Sequence, residues 1–238
     1  LRMGLKSSDP RTRLEAIIAS ARQNNVETGE AIAASLGYAD STIAHTAFRA
    51  LAMLRDSQSC FAILDTTQSH TEQRKGASFA LMRMHRSDVV EGLISRLNDP
   101  SKSLAHPSIL STLCRLYHRE APWNGDSWGT RPDTRGPYYQ LEPWGQSDTI
   151  LEAIKQALSK AAPADAAQLI QEMNRNRIQS NEALERIIAL ALQDPTLVST
   201  AVTQLASVDN IPEKAVPLLL AAVRNPKSTP MALSQTIV

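Results

Sequence analysis

The sequence predicts an all-α fold, an α-solenoid of stacked helix pairs with one long aromatic-rich loop insertion. Three observations support this prediction. Glycine is scarce, with 9 in 238 residues, which is low for an all-β or a dinucleotide-binding α/β chain. Apolar residues recur at helical spacing, as at Leu184, Ile187 and Ala191, which occupy positions i, i+3 and i+7 of one face. Dipeptides that begin helices also recur at intervals typical of helix-pair repeats.

These dipeptides are Asp9-Pro10, Asp99-Pro100, Asp194-Pro195 and Asn225-Pro226. Asp and Asn cap helix N-termini well, and Pro suits the first helical position. Successive dipeptides lie 90, 95 and 31 residues apart, and removing a 29-residue insertion at 119–147 reduces the middle interval to 66. All three intervals are then close to multiples of ~30 to 33 residues, which indicates a repeat of two helices.

The repeat predicts two rows of helices. First helices are expected over 29–36, 57–65, 87–97, 148–161, 181–192 and 211–223, and second helices from about Pro10, Ser41, His70, His106, Pro163, Pro195 and Thr229. Pro217 is expected to kink the helix over 211–223 or to move its start. Because one helix pair cannot bury its apolar face alone, stacked pairs should form a single domain over residues 1–238.

The segment Asp9-Pro10-Arg11-Thr12-Arg13-Leu14-Glu15-Ala16 resembles the inter-helix turn and second-helix start of a HEAT repeat. In that family a turn Asp and a helix Arg commonly bond along the stack, and Asp9 and Arg13 match those positions. Later units depart from the pattern, since Ser103 and Val198 stand where the Arg would be. The resemblance therefore implies a HEAT-like architecture, with the Asp–Arg ladder expected at the first unit.

Charge and cysteine content exclude several functions. Lys+Arg is 25 and Asp+Glu is 24, so the net charge of +1 gives no general attraction for nucleic acid. We therefore expect no nucleic-acid partner, and we expect two basic clusters to be solvated helix faces or ends. The clusters are Arg83, His85 and Arg86, and Arg115, His118 and Arg119. The longest apolar stretch, 215–223, is too short to span a membrane. Cys60 and Cys114 are expected to be buried, and no metal-ligand spacing is visible.

The insertion at 119–147 has no helical period and concentrates rigid aromatic residues. It contains all three Trp, two of the four Tyr, four of the nine Gly and four of the thirteen Pro. Trp, Tyr and Arg dominate the energetics of binding surfaces, so we expect part of the insertion to bind a partner or ligand. The candidate residues are Trp123, Trp128, Arg131, Asp133, Arg135, Tyr138, Tyr139 and Trp144. Alternatively, the insertion folds back on the helices, and these residues are packing anchors and ion pairs.

Within the insertion, the order Trp128-Gly129-Thr130-Arg131-Pro132-Asp133-Thr134, followed by Gly136-Pro137-Tyr138-Tyr139, is similar to a segment of one family. These are large, secreted, multidomain c-type haem-binding proteins of planctomycete and verrucomicrobial type. They combine a dehydrogenase-like β-propeller, HEAT-like repeats and a cytochrome module. The resemblance covers about 117–147 and implies a periplasmic or secreted segment of a larger redox protein. The haem would lie elsewhere in that protein, and we expect no cofactor in this segment.

Three classes of function remain open. A non-catalytic scaffold, which binds flanking domains of the same polypeptide or a protein partner, is preferred because the chain has no catalytic motif. The alternative is a carbohydrate-binding module in which the aromatic insertion stacks on sugar rings. An enzyme is not expected, and it would have to use the carboxylates in and beside the insertion. These are Glu120, Asp126, Asp133 and Glu142.

Overall fold

The computed structural model describes residues 1–66, 68–122, 140–205 and 211–224, and this part of the chain is mostly helical. The all-α prediction is therefore confirmed. Within the described residues the helices are α1 Arg2–Leu5, α2 Pro10–Arg22, α3 Gly29–Ala33, α4 Ser41–Leu54, α5 Ser57–Asp65, α6 Thr71–Leu81, α7 Ser87–Leu97, α8 His106–Leu116, α9 Ser147–Lys160, α10 Pro163–Arg175, α11 Asn181–Gln193, α12 Val198–Leu205 and α13 Val216–Arg224. Two three-residue strands, β1 His118–Glu120 and β2 Leu141–Pro143, are the β-structure of the described part.

The helix predictions agree closely with these bounds. The helices expected over 57–65 and 87–97 coincide with α5 and α7, and those expected from Pro10 and Ser41 begin there as α2 and α4. The helix expected over 29–36 is shorter, because α3 ends at Ala33. The helix expected from Thr229 lies outside the described residues.

Aspartate caps determine where several helices begin. Asp9 accepts a hydrogen bond from the backbone N–H of Thr12 at 2.8 Å, and Asp40 accepts one from Thr42 at 2.8 Å. These carboxylates satisfy N–H groups that have no partner within the first helical turn. Asp9 and Asp40 lie 31 residues apart, so equivalent caps recur at the period that the dipeptides predict.

The Asp-Pro dipeptides at 99 and 194 cap short 3₁₀ turns instead of α-helices. These turns are Pro100–Ala105 and Pro195–Leu197, and they precede α8 and α12. The helix expected from Pro195 therefore begins three residues later, at Val198. Pro217 is the second residue of α13, so it moves the helix start and does not kink the helix. Asn225-Pro226 lies outside the described residues.

The side chain of Arg13 contacts groups other than the carboxylate of Asp9. Its Nε donates to the carbonyl oxygen of Ser7 at 3.0 Å, and its guanidinium lies 4.6 Å from the ring centroid of Tyr38. The carboxylate of Asp9 is occupied as the cap of α2, and its hydrogen bonds with Thr12 lower the pKa of Asp9. The ladder expected from the HEAT resemblance is thus replaced here by a cap and a cation–π contact.

The described residues fall into two compact units, one up to residue 150 and one from residue 151. In the first unit α2 packs on α4, α4 on α6 and α6 on α8, while α1 packs on α3 and α3 on α5. Neighbours in the chain also pack as pairs, from α1 with α2 to α7 with α8. Among the fully buried side chains of this unit are Ile17, Ile32, Ile43, Leu51, Leu81, Leu93, Ile109, Leu113 and Leu116.

The burial of Cys60 and Cys114 is confirmed, since both thiols are inaccessible to solvent. Burial raises the pKa of the Cys60 thiol, with a smaller contribution from the negative charge of Asp56. Cys60 therefore remains a neutral thiol that packs as a small apolar residue.

Side-chain contacts in the first unit join residues one repeat apart. Arg96 donates Nε and Nη2 to the two carboxylate oxygens of Asp65, at 2.9 and 2.8 Å, across 31 residues. The rings of Phe48 and Phe79, also 31 residues apart, meet edge to face at 5.6 Å. Contacts at a fixed separation of 31 residues are expected when helices pack on the equivalent helices of the next repeat.

In the second unit, α10 packs on α11, and α11, α12 and α13 pack on one another. Lys155 reaches Glu182 at 2.9 Å, and Arg186 donates to the carbonyl of Ala161 at 3.3 Å. Hydrogen bonds from Lys155, from the Glu182 backbone and from Ser180 lower the pKa of Glu182 to about 2.

The prediction that residues 1–238 form one domain stays a prediction. No helix in the described ranges is long and apolar enough to cross a membrane.

Gly92 on α7 leaves room for the ring of Phe61 on α5. A Cβ at this position would lie 2.7 Å from the Cζ of Phe61, and the guanidinium of Arg96 sits 4.0 Å from the centroid of that ring. We expect Gly92→Ala to lower the free energy of unfolding by ~1–3 kcal/mol through overpacking, despite a gain of ~1 kcal/mol in helix propensity. Urea denaturation followed by circular dichroism measures the change.

The control is a double-mutant cycle with Phe61→Leu, which removes the ring atoms that the new methyl group meets. The double variant should lose less unfolding free energy than the sum of the losses in the two single variants. Additive losses would show that the cost of Gly92→Ala does not come from the ring of Phe61.

Candidate functional site

The structure describes one of the eight predicted binding residues, Trp144. The other seven lie outside the described residues: Trp123, Trp128, Arg131, Asp133, Arg135, Tyr138 and Tyr139. Their binding roles stay predictions. The described part of the insertion is its base, where the chain leaves and re-enters the first helical unit.

A short antiparallel pairing closes this base. Strand β1 pairs with β2 in the register His118↔Pro143, Arg119↔Glu142 and Glu120↔Leu141. The backbone N–H of Ala121 donates to the carbonyl of Gln140 at 2.8 Å and extends the pairing by one bond. We call residues 118–121 and 140–144 the neck. The sequence predicted no strand here, because three-residue segments show no alternation and the two strands are separated by the insertion.

Two carboxylates considered for catalysis have partners in the neck. Glu142 Oε1 lies 2.6 Å from the Nε of Arg119, directly across the pairing. Glu120 Oε1 accepts the backbone N–H of Gln140 at 3.0 Å. A cross-strand pair of opposite charge such as Arg119 with Glu142 contributes ~0.2–1 kcal/mol, and the hydrogen bond of Glu120 adds a further link across the neck. The other two carboxylates, Asp126 and Asp133, lie outside the described residues.

Trp144 anchors the neck to the end of α8. Its indole N–H donates to the carbonyl of Leu116 at 2.7 Å, and its backbone N–H donates to Ser147 Oγ at 2.8 Å. Ser147 in turn donates to the carbonyl of Tyr117 at 2.7 Å. The last carbonyls of a helix have no partner within the helix, so these bonds satisfy groups that α8 leaves open. Trp144 is half-buried and makes the contacts expected of a packing anchor.

His85 connects the neck to the turn after α6. Its Nε2 donates to the carbonyl of His118 at 2.8 Å, and its ring meets the indole of Trp144 edge to face at 5.3 Å. Burial lowers the pKa of His85, and the positive charges of Arg115 and Arg119 lower it further. The hydrogen bond to His118 opposes this shift in part. The imidazole is therefore neutral at neutral pH.

The two basic clusters of the sequence come together at this point. His85 from one cluster bonds to His118 from the other. Burial lowers the pKa of Arg115 to about 10, the charge of Arg83 adds to the effect, and Glu120 opposes it. The sequence predicted solvated helix faces or ends for both clusters. The repeat was the signal that could have joined them, since Arg83 and Arg115 lie 32 residues apart.

Comparison with known proteins assigns no family to the chain. No family model matches it, and no curated protein matches it. Within the described ranges, no three His, Cys, Asp or Glu side chains are grouped so that they could hold a metal ion.

Loss of the Trp144 hydrogen bond should loosen the neck. We expect Trp144→Phe to lower the free energy of unfolding by ~1–2 kcal/mol, because the carbonyl of Leu116 loses its donor while the aromatic ring remains. Trp144→Leu should cost more, since the edge contact with His85 is lost as well. Urea denaturation followed by circular dichroism measures both variants. Equal stability of Trp144→Phe and the wild type would rule out the anchoring role of the indole N–H.

Acid should destabilise the first unit through His85. In the unfolded chain the imidazole of His85 is protonated near pH ~6.5, whereas in the folded chain its pKa lies lower. The free energy of unfolding therefore falls as the pH drops below ~6.5 towards the folded pKa of His85. His85→Gln keeps a donor for the carbonyl of His118 and does not titrate. Unfolding free energies measured between neutral and mildly acidic pH should therefore decline less in His85→Gln than in the wild type. Parallel pH profiles of the two proteins would contradict the assignment.

Proposed function

We propose that the chain is a HEAT-like α-solenoid that serves as a non-catalytic scaffold or protein-interaction domain within a larger exported redox protein. The supporting observation is the packing of alternate helices in the first unit, α2 on α4, α4 on α6 and α6 on α8. Contacts between residues 31 apart, such as Arg96 with Asp65, agree with this arrangement. Stacked repeats provide extended surfaces that suit the binding of other proteins.

The position of the insertion favours an interaction role. The neck follows α8 directly, so the insertion emerges from the end of the row formed by α2, α4, α6 and α8. Trp144 and His85 fix its base against that row. A long loop held at its base by specific bonds can present the same surface repeatedly, which lowers the entropic cost of binding.

The exported redox setting is supported by the sequence resemblance over about 117–147. This setting places the chain in the periplasm or outside the cell, with any haem in other parts of the full polypeptide. The flanking domains of that polypeptide are then the first candidates for the partner.

A carbohydrate-binding module is the second candidate, and the aromatic content of the insertion supports it. All three Trp of the chain lie in 119–147, and Trp144 makes anchoring contacts, which leaves Trp123 and Trp128 for stacking on sugars. Tyr138 and Tyr139 would add two further rings, and Arg131, Asp133 and Arg135 would bond hydroxyl groups.

The experiment replaces residues 122–139 with an Asn-Gly turn, which closes the neck as a hairpin. Proteins of the periplasmic and secreted fraction of the source organism are captured on the intact chain, and the affinity of each purified partner is then measured calorimetrically. We expect the hairpin variant to bind at least ~10-fold more weakly with unchanged helical circular dichroism.

A glycan panel read by Trp fluorescence separates the two candidates. The scaffold predicts no saturable change with any polysaccharide, whereas the carbohydrate module predicts one that the hairpin variant loses. If no purified protein binds the intact chain, or if the hairpin variant binds every partner equally well, the scaffold role of the insertion is rejected.

A further inference from the structure

Arg83 is held on the surface by an aromatic ring and a carbonyl. Its guanidinium lies 4.9 Å from the ring centroid of Phe48, and its Nη1 donates to the carbonyl of Phe79 at 2.9 Å. These contacts fix the direction of the side chain without neutralising its charge. Arg83 is exposed in the turn after α6, where its remaining donors can reach a ligand.

A strip of aromatic rings lies beneath this guanidinium. Phe48 meets Phe79 edge to face at 5.6 Å and His45 at 4.7 Å. Phe48 is 8% exposed, whereas Phe79 on the neighbouring helix is 36% exposed. Phe48 is therefore buried between two exposed rings, and one of these, Phe79, offers an apolar contact beside the positive charge.

A second arginine adds to the same field. Arg49 follows Phe48 on α4 and is exposed. Partial burial lowers the pKa of Arg83, and the positive charge of Arg49 lowers it further. In the described part of the chain, neither arginine has a carboxylate within the 4.0 Å of a salt bridge. Four other arginines do, with Arg2 at 3.2 Å from Glu27, Arg86 at 2.7 Å from Asp88, Arg96 at 2.8 Å from Asp65 and Arg119 at 2.6 Å from Glu142. Two neighbouring cations without a counter-ion attract a ligand that brings negative charge.

We propose that Phe48, Arg49, Phe79 and Arg83 form a docking surface for an acidic segment of a protein partner. Carboxylates of the partner bind the two guanidinium groups, for which Arg has the matching planar geometry, and an apolar side chain packs on Phe79. This inference rests on the proposed function as a protein-interaction domain and names the chemistry of its partner. A few carboxylates need only a small group of arginines, here Arg49 and Arg83 with Arg115 beside them, whereas a nucleic-acid backbone needs a longer row of cations than a chain of net charge +1 provides.

The test uses short fluorescein-labelled peptides of alternating Glu and Leu, with a Gln and Leu peptide as the neutral control. Fluorescence anisotropy measures their binding to the whole chain. We expect Arg49→Gln combined with Arg83→Gln to weaken binding of the acidic peptide at least ~10-fold. The charge-matched control, Arg11→Gln combined with Arg175→Gln, should bind as the wild type does. Phe79→Ser should weaken binding without any change in charge.

Two results would overturn the proposal. One is equal weakening in both double variants, which would indicate general charge attraction. The other is stronger binding of single-stranded RNA or heparin than of the peptide, with the same dependence on Arg49 and Arg83. Circular dichroism checks the fold of each variant, and Arg49→Gln alone tests the surface without disturbing the aromatic contacts of Arg83.

The outcomes also separate this inference from the proposed function. The hairpin variant lacking residues 122–139 should still bind the acidic peptide, because the docking surface lies on α4, on α6 and in the turn after α6. If the hairpin variant no longer binds a purified partner but the Arg49 and Arg83 double variant still does, only the docking surface is rejected. If both variants bind every partner as well as the wild type, both proposals are rejected.

Discussion

A two-helix unit cannot bury both of its apolar faces by itself, and this constraint governs the first compact unit of the chain. The unit meets the constraint by packing alternate helices on one another, as α4 packs on α6. Glycine makes room for neighbouring side chains at particular points, of which Gly92 against the ring of Phe61 is one. The resulting core consists of contacts between residues that are close in sequence, so each pair of helices depends on its neighbours for stability.

The insertion creates a second constraint, because it interrupts the chain between α8 and α9. The carbonyls at the end of α8 need donors, and both strands of the neck need partners. Trp144 and Ser147 supply donors to Leu116 and Tyr117, and the pairing of β1 with β2 satisfies the strands. The neck therefore couples the base of the insertion to the helical row, and a change at His85 or Trp144 should alter both.

The sequence predicted the helices well, because their signals are local. Asp40 before Ser41 and the apolar spacing of α11 are visible within a few residues of the chain. The neck was not predictable in this way, since Arg119 and Glu142 meet across 23 residues without any strand pattern. Trp144 was identified as a candidate for binding, but its hydrogen bond to Leu116 depends on tertiary geometry that no spacing shows. The contact of Arg83 with Phe48 likewise required the register between two helices.

The arginines show how one residue type takes different roles in the same architecture. Arg96 lies between two helices, where a lone cation would be costly, and it is matched by both carboxylate oxygens of Asp65. One face of the Arg83 guanidinium lies on the ring of Phe48 and the other faces solvent, so water solvates the charge without a carboxylate. A partner that removes this water must replace it with negative charge, or binding becomes unfavourable. The surface therefore selects against neutral apolar ligands that the exposed Phe79 alone would accept.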